Sequence, residues 1–166
     1  STEGDKKLLV ELEKGLSNLV REKSDALKEL ETISSDARSA SVGDGLEKLG
    51  KIRENLISAI SLAQALGLSG TNNQKILGQL LEKIEIAREK SEAEAVLIKV
   101  RRKIEDNLPE RHTKTLLSLQ KSLISAIAWG ELVGLDVRSD KDLSSNLGAA
   151  IAVAQERDEV ESYLNA

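Results

Sequence analysis

Chemistry in this chain would have to be built from few parts. It holds one histidine, His112, and no cysteine. Proton transfer or phosphate acceptance at His112 would need a second imidazole or a thiolate as partner, and the sequence has neither. The run Glu110-Arg111-His112-Thr113-Lys114 is too short to count as a phosphotransfer motif, so His112 reads as an exposed residue near a helix start. Ser24, Ser91 and Asp158 occupy matching places on three amphipathic stretches, where they could line a ligand or ion site inside a bundle; the plainer readings are a polar layer that fixes register or residues rotated just outside the core. One carboxylate and two hydroxyls are too few to hold a metal ion. Lys99, Arg101, Arg102 and Lys103 crowd one helix end, with Arg111 and Lys114 just past the turn. Such a cluster can face an anionic partner. Here it lies among Glu105, Asp106 and Glu110, and cations at that end also complement the helix dipole. Trp129 is expected to pack in the core or at its boundary, with a partner-binding anchor as the alternative. The glycines sit singly, so no phosphate-cradling loop is present, and no acid pair combines helix spacing with apolar surroundings. The sequence therefore assigns no catalytic residue, no cofactor-binding residue, no metal ligand and no cofactor, and the expectation is a protein that is not an enzyme.

The elements that must carry these residues are helical. Of 166 residues, 40% are hydrophobic and 31% charged, with a single proline, a composition that suits a soluble α-helical chain with one real core. Phe and Met are absent as well as Cys, so there is neither a disulfide framework nor a thiolate site. A net charge of −4 argues against a nucleic-acid partner, which rewards a strong cationic field. No apolar stretch is long enough to span a bilayer.

Apolar residues recur at steps of three and four in five blocks, predicting helices over 3–36, 44–66, 72–106, 109–133 and 140–164. In the first block the seam runs through Leu9, Leu12, Leu16, Leu19, Val20, Leu27, Leu30 and Ile33. Thr2 with Asp5, Thr71 with Gln74 and Ser139 with Asp142 read as helix-opening caps. Asn107-Leu108-Pro109 breaks the third helix, where a bend near Ser91 is also possible, and starts the fourth. The blocks are related. Leu56-Ile57-Ser58-Ala59-Ile60, running on to Gly67-Leu68, returns 67 positions later as Leu123-Ile124-Ser125-Ala126-Ile127, running on to Gly134-Leu135. Each glycine is placed to take the left-handed conformation that ends a helix, with the next leucine folding back on the last turn. Arg21 to Ala26 and Arg88 to Ala93 match at the same offset, as do Ala87 to Leu97 and Ala154 to Leu164.

Two and a half helical hairpins result. Because helices of about 25 to 35 residues are longer than common solenoid units, the expected fold is all-α: a single domain over 1–166, closed as a monomeric up-and-down five-helix bundle, with a short α-solenoid as the alternative. Five long amphipathic helices resemble the rod bundles of talin and vinculin-type cytoskeletal adaptors. That resemblance implies a protein-protein interaction module. Missing residue types, helix-start signals and glycine stops also resemble a designed or heavily engineered bundle. The expectation is thus a structural scaffold that requires no partner, with an interaction module and a lipid or small-molecule carrier as alternatives.

Overall fold

A computed structural model describes residues 2–108 and 112–166. The fold is all-α. Five helices follow one another: α1 Thr2–Ser39, α2 Leu46–Ala65, α3 Thr71–Asn107, α4 Thr113–Leu132 and α5 Arg138–Leu164, with a short 3-10 turn at Val42–Asp44 ahead of α2. No strand occurs among the described residues.

Helix ends follow the expected boundaries to within a few residues, and α3 runs through Ser91 without interruption. The expected start of the fourth helix at Pro109, with Glu110 and Arg111, lies outside the described residues. The expected caps are displaced. Thr2 and Thr71 are already helical, and α5 begins at Arg138, one residue before Ser139. The polar cap that does form is at the 3-10 turn, where the Ser41 N–H donates to the Asp44 carboxylate at 2.8 Å. That bond, reinforced by Lys48, holds Asp44 below the usual carboxylate range.

The chain divides into two compact units, Ser1–Ala87 and Arg88–Ala166. Each has its own apolar cluster, so the residues expected to share one core are gathered in two. In the first unit Leu30 and Ala37 of α1 meet Leu49, Leu56 and Ile60 of α2 and Ile76 and Leu80 of α3. In the second, Leu97 and Ile104 of α3 meet Leu116, Leu123 and Ile127 of α4 and Leu147 and Ile151 of α5.

Helix lengths determine how much of each seam is covered. α1 has 38 residues and α2 has 20. At 1.5 Å per residue these are about 57 Å and about 30 Å long, so α2 can cover only about half of α1. Burial in α1 accordingly begins at Ala26 and continues at Leu30, Ser34 and Ala37. Leu9, Leu12 and Leu16, expected in the same buried seam, are 57%, 57% and 62% exposed. At the other end of the chain α5 buries Leu147, Ile151 and Ala154 and leaves Val160 and Leu164 exposed.

The two glycine stops form as expected. Gly67 and Gly134 have φ of +75° and +80°. Gly67 N–H donates to the Gln64 carbonyl and Leu68 N–H to the Ala63 carbonyl; Gly134 and Leu135 bond Glu131 and Gly130 in the same pattern. This is the Schellman arrangement, which satisfies carbonyls that the helix end would leave unpaired. Just before each stop the packing differs in detail. Ala63 is fully buried, and Gly70 follows seven residues on. Their counterparts 67 positions later are Gly130 and Val137, and a Cβ on Gly130 would lie 2.9 Å from Val137 Cγ1. A methyl has moved from one partner of the pair, and a larger side chain has appeared on the other.

Candidate functional site

The polar groups that the fold withdraws from water sit at helix junctions. Asp140, in the first turn of α5, is fully buried. A bare carboxylate there would be very costly to desolvate. It is matched instead by Arg101 from α3, whose Nε donates to Oδ1 and whose Nη2 donates to Oδ2 at 2.7 Å. This two-pronged pairing is the arrangement in which a guanidinium meets a carboxylate best. The hydrogen bond to Asp140 raises the Arg101 pKa further above its ordinary range, so the guanidinium keeps its charge. Arg101 itself keeps 37% of its side chain accessible.

A neutral polar pair joins two helices in the first unit. Ser34, buried in α1, donates its hydroxyl to Asn73 Oδ1 at 2.8 Å in the first turn of α3. Ser34 and Asn73 are the residues 67 positions before Arg101 and Asp140. Neither pair is evident from local sequence, because Arg101 stands in a cationic cluster and Asp142, not Asp140, has the cap spacing from Ser139. The offset already visible in the core stretches was the signal that would have found them.

A third junction is closed by Lys83 of α3. Its ammonium donates to the Ala40 carbonyl at 2.7 Å and reaches the Ala37 and Arg38 carbonyls at 3.4 and 3.3 Å. A cation there neutralises the negative end of α1 and satisfies carbonyls that have no helical partner. The residue 67 positions on is Ala150, which cannot make such contacts. It lines a groove of about 320 Å³ with Leu108, Leu116, Val153, Ala154 and Arg157. The walls are mainly apolar, and Arg157 is engaged with Asp158 and Glu161.

The sequence candidates fall as follows. Ser24, Ser91 and Asp158 are all exposed, so they form no interior polar layer. Asp158 accepts a hydrogen bond from Thr113 at the start of α4, and this bond, with Arg157 and His112 adding to it, lowers the Asp158 pKa. His112 is exposed, directly precedes α4 and makes no side-chain cap. His112 and Asp158, singled out separately in the sequence, thus come to the same corner of the second unit. Of the cationic cluster, Arg101 is committed to Asp140; Lys99 and Lys103 border a shallow groove with Val96, Leu119 and half-buried Trp129. Arg111 lies outside the described residues. Among the described residues no group of three or more His, Cys, Asp or Glu side chains is placed to hold a metal ion. No helix of the described chain is long and apolar enough to cross a membrane.

No protein-family model matches the chain, and neither a curated protein nor a solved structure matches it. Arg101–Asp140, Ser34–Asn73 and Lys83 with the α1 carbonyls each join one long helix to another, and among the described residues no buried side-chain nitrogen or oxygen is left without a partner.

Proposed function

We propose that this chain is a non-catalytic helical scaffold whose working parts are its helix surfaces. The observation that supports the reading is the fate of its buried polar groups. Asp140 is the buried ionisable side chain, and it is saturated by a bidentate guanidinium rather than aimed into a cavity. An acid used for proton transfer is normally kept available at a cleft, with its pKa displaced by burial or a like charge. Here the buried polar contacts hold helix junctions in register, and the remaining titratable groups with shifted pKa have surface partners, Asp44 with Ser41 and Lys48, Asp136 with Arg138 and Asp158 with Thr113.

A thermal-shift screen against nucleotides, sugar phosphates, divalent cations and anionic lipid vesicles tests this. No saturable rise in the unfolding temperature is expected, since any ligand bound only by the folded chain must stabilise it by mass action. A saturable shift with a nucleotide, sugar phosphate or cation refutes the scaffold reading. A gain in helicity on vesicles would select a lipid-carrying role instead.

The exposed leucines of α1 favour a second reading, a protein-protein interaction module of the cytoskeletal-adaptor kind. Apolar rows of this extent on a surface usually mark a place where something else packs.

A further inference from the structure

The first part of α1 continues a seam that is already an interface. Leu30, Ile33 and Ala37 face the first core, Ala26 is buried one step before them, and the steps of four, three and four extend backward through Lys23, Leu19, Leu16, Leu12, Leu9 and Asp5 without a break. That is the 3.5-residue spacing with which helices pair side by side. α2 covers the later part of the seam. The earlier part keeps the spacing and the leucines but is left open, with Leu16 62% exposed.

The open part reads Asp5, Leu9, Leu12, Leu16, Leu19, Lys23, and its spacing is the same in both directions. Laid against a second copy running parallel, it would set Asp5 on Asp5 and Lys23 on Lys23. Laid antiparallel, Leu9 meets Leu19 and Leu12 meets Leu16, while Asp5 meets Lys23 at both ends. Leu8 then falls level with Val20 and widens the apolar strip. Like charges at seam positions oppose pairing and opposite charges fix register, so the antiparallel alignment is the one this sequence favours.

We infer that the open half of α1 is a self-association surface, on which a second copy of this chain pairs antiparallel about Lys14. The monomer expected from the sequence would then be the dilute form. The contact spans 19 residues, about 27 Å of helix, which is short for a two-stranded coil and points to a dimer that dissociates on dilution. The inference does not depend on the scaffold reading: a strictly monomeric chain would leave that reading untouched.

Sedimentation equilibrium of the full chain over a concentration series tests it. The expected result is a reversible monomer-dimer equilibrium. Leu12→Glu with Leu16→Glu should abolish the dimer while circular dichroism keeps the helicity of the core, because neither side chain belongs to it. Asp5→Lys alone and Lys23→Asp alone should each weaken the dimer roughly tenfold, and Asp5→Lys with Lys23→Asp together should restore it. A monomer up to about 1 mM overturns the inference. So does a dimer that survives the two glutamates, or one whose affinity is indifferent to the charge reversals, the behaviour of a parallel pair.

Discussion

Removing the two partners of the Arg101–Asp140 pair should have unequal consequences. Arg101→Ser leaves a carboxylate with no exposure and no counter-charge, a defect that typically costs about 3–5 kcal/mol. Asp140→Ala leaves a guanidinium whose side chain is already 37% accessible and can turn to water. Its cost should be nearer about 1–3 kcal/mol, mostly lost hydrogen bonding and packing. The first unit suggests a repair. Arg101→Ser combined with Asp140→Asn installs the Ser34–Asn73 chemistry at the equivalent junction, removes the buried charge and should recover at least about 1 kcal/mol relative to Arg101→Ser alone, since an imperfectly paired amide is cheaper to bury than an unpaired ion. Urea unfolding followed by the fluorescence of Trp129 is the assay. Trp129 lies in the same unit as the pair and is the sole tryptophan, so the signal reports that unit. Equal losses for the two single replacements, or a double replacement no better than Arg101→Ser, would refute the claim that this junction is governed by desolvation of Asp140.

The helix stops give a second test: Gly67→Ala and Gly134→Ala should each lose roughly 1 kcal/mol from the left-handed backbone, while Gly78→Ala, in open space on α3, should be neutral or stabilising in the same melts. Gly130→Ala should lose about 1–3 kcal/mol to overpacking, and adding Val137→Gly should return part of it by double-mutant analysis. Ile60→Ala and Ile127→Ala, buried to similar degrees in the two clusters, should each cost roughly 2–5 kcal/mol, against less than about 1 kcal/mol for exposed His112→Ala. Asp136 is drawn down to about 2 by its hydrogen bonds from Arg138, so carboxyl NMR should show it ionised until pH falls well below 3, and Arg138→Ala should return its midpoint to about 4. Because its folded pKa is depressed, whatever stability the contact adds is present above pH 4 and fades as pH falls toward 2.

Much of this architecture was legible in the sequence. Spacing of Leu, Ile and Ala gave the five helices, and Gly67 and Gly134 marked stops that have the expected left-handed geometry. Helix spacing, however, does not say how far a neighbour extends. Leu9 and Leu30 look alike in sequence, and only the 20-residue length of α2 decides that one is open and the other buried. Local charge also misled. Arg101 among four cations looks like surface, because the acid that claims it lies 39 residues away, across the whole of α4. Cap reading failed where a glycine or an apolar residue stands at the helix threshold, as Val137 does before α5, so that Ser139 enters the first turn instead of preceding it.

The exchange between Ala63 with Gly70 and Gly130 with Val137 limits how such a chain can be recombined. A crossover joining the two copies anywhere between the members of a pair would yield one hybrid with Ala facing Val and another with Gly facing Gly. The first is overfilled, since the methyl would arrive 2.9 Å from Val137 Cγ1; the second leaves a hole where a side chain had been. Folded chimaeras of the two halves should therefore place their junctions outside these eight-residue windows. The windows contain the glycine stops, so each helix end and the turn after it would be inherited as one indivisible block.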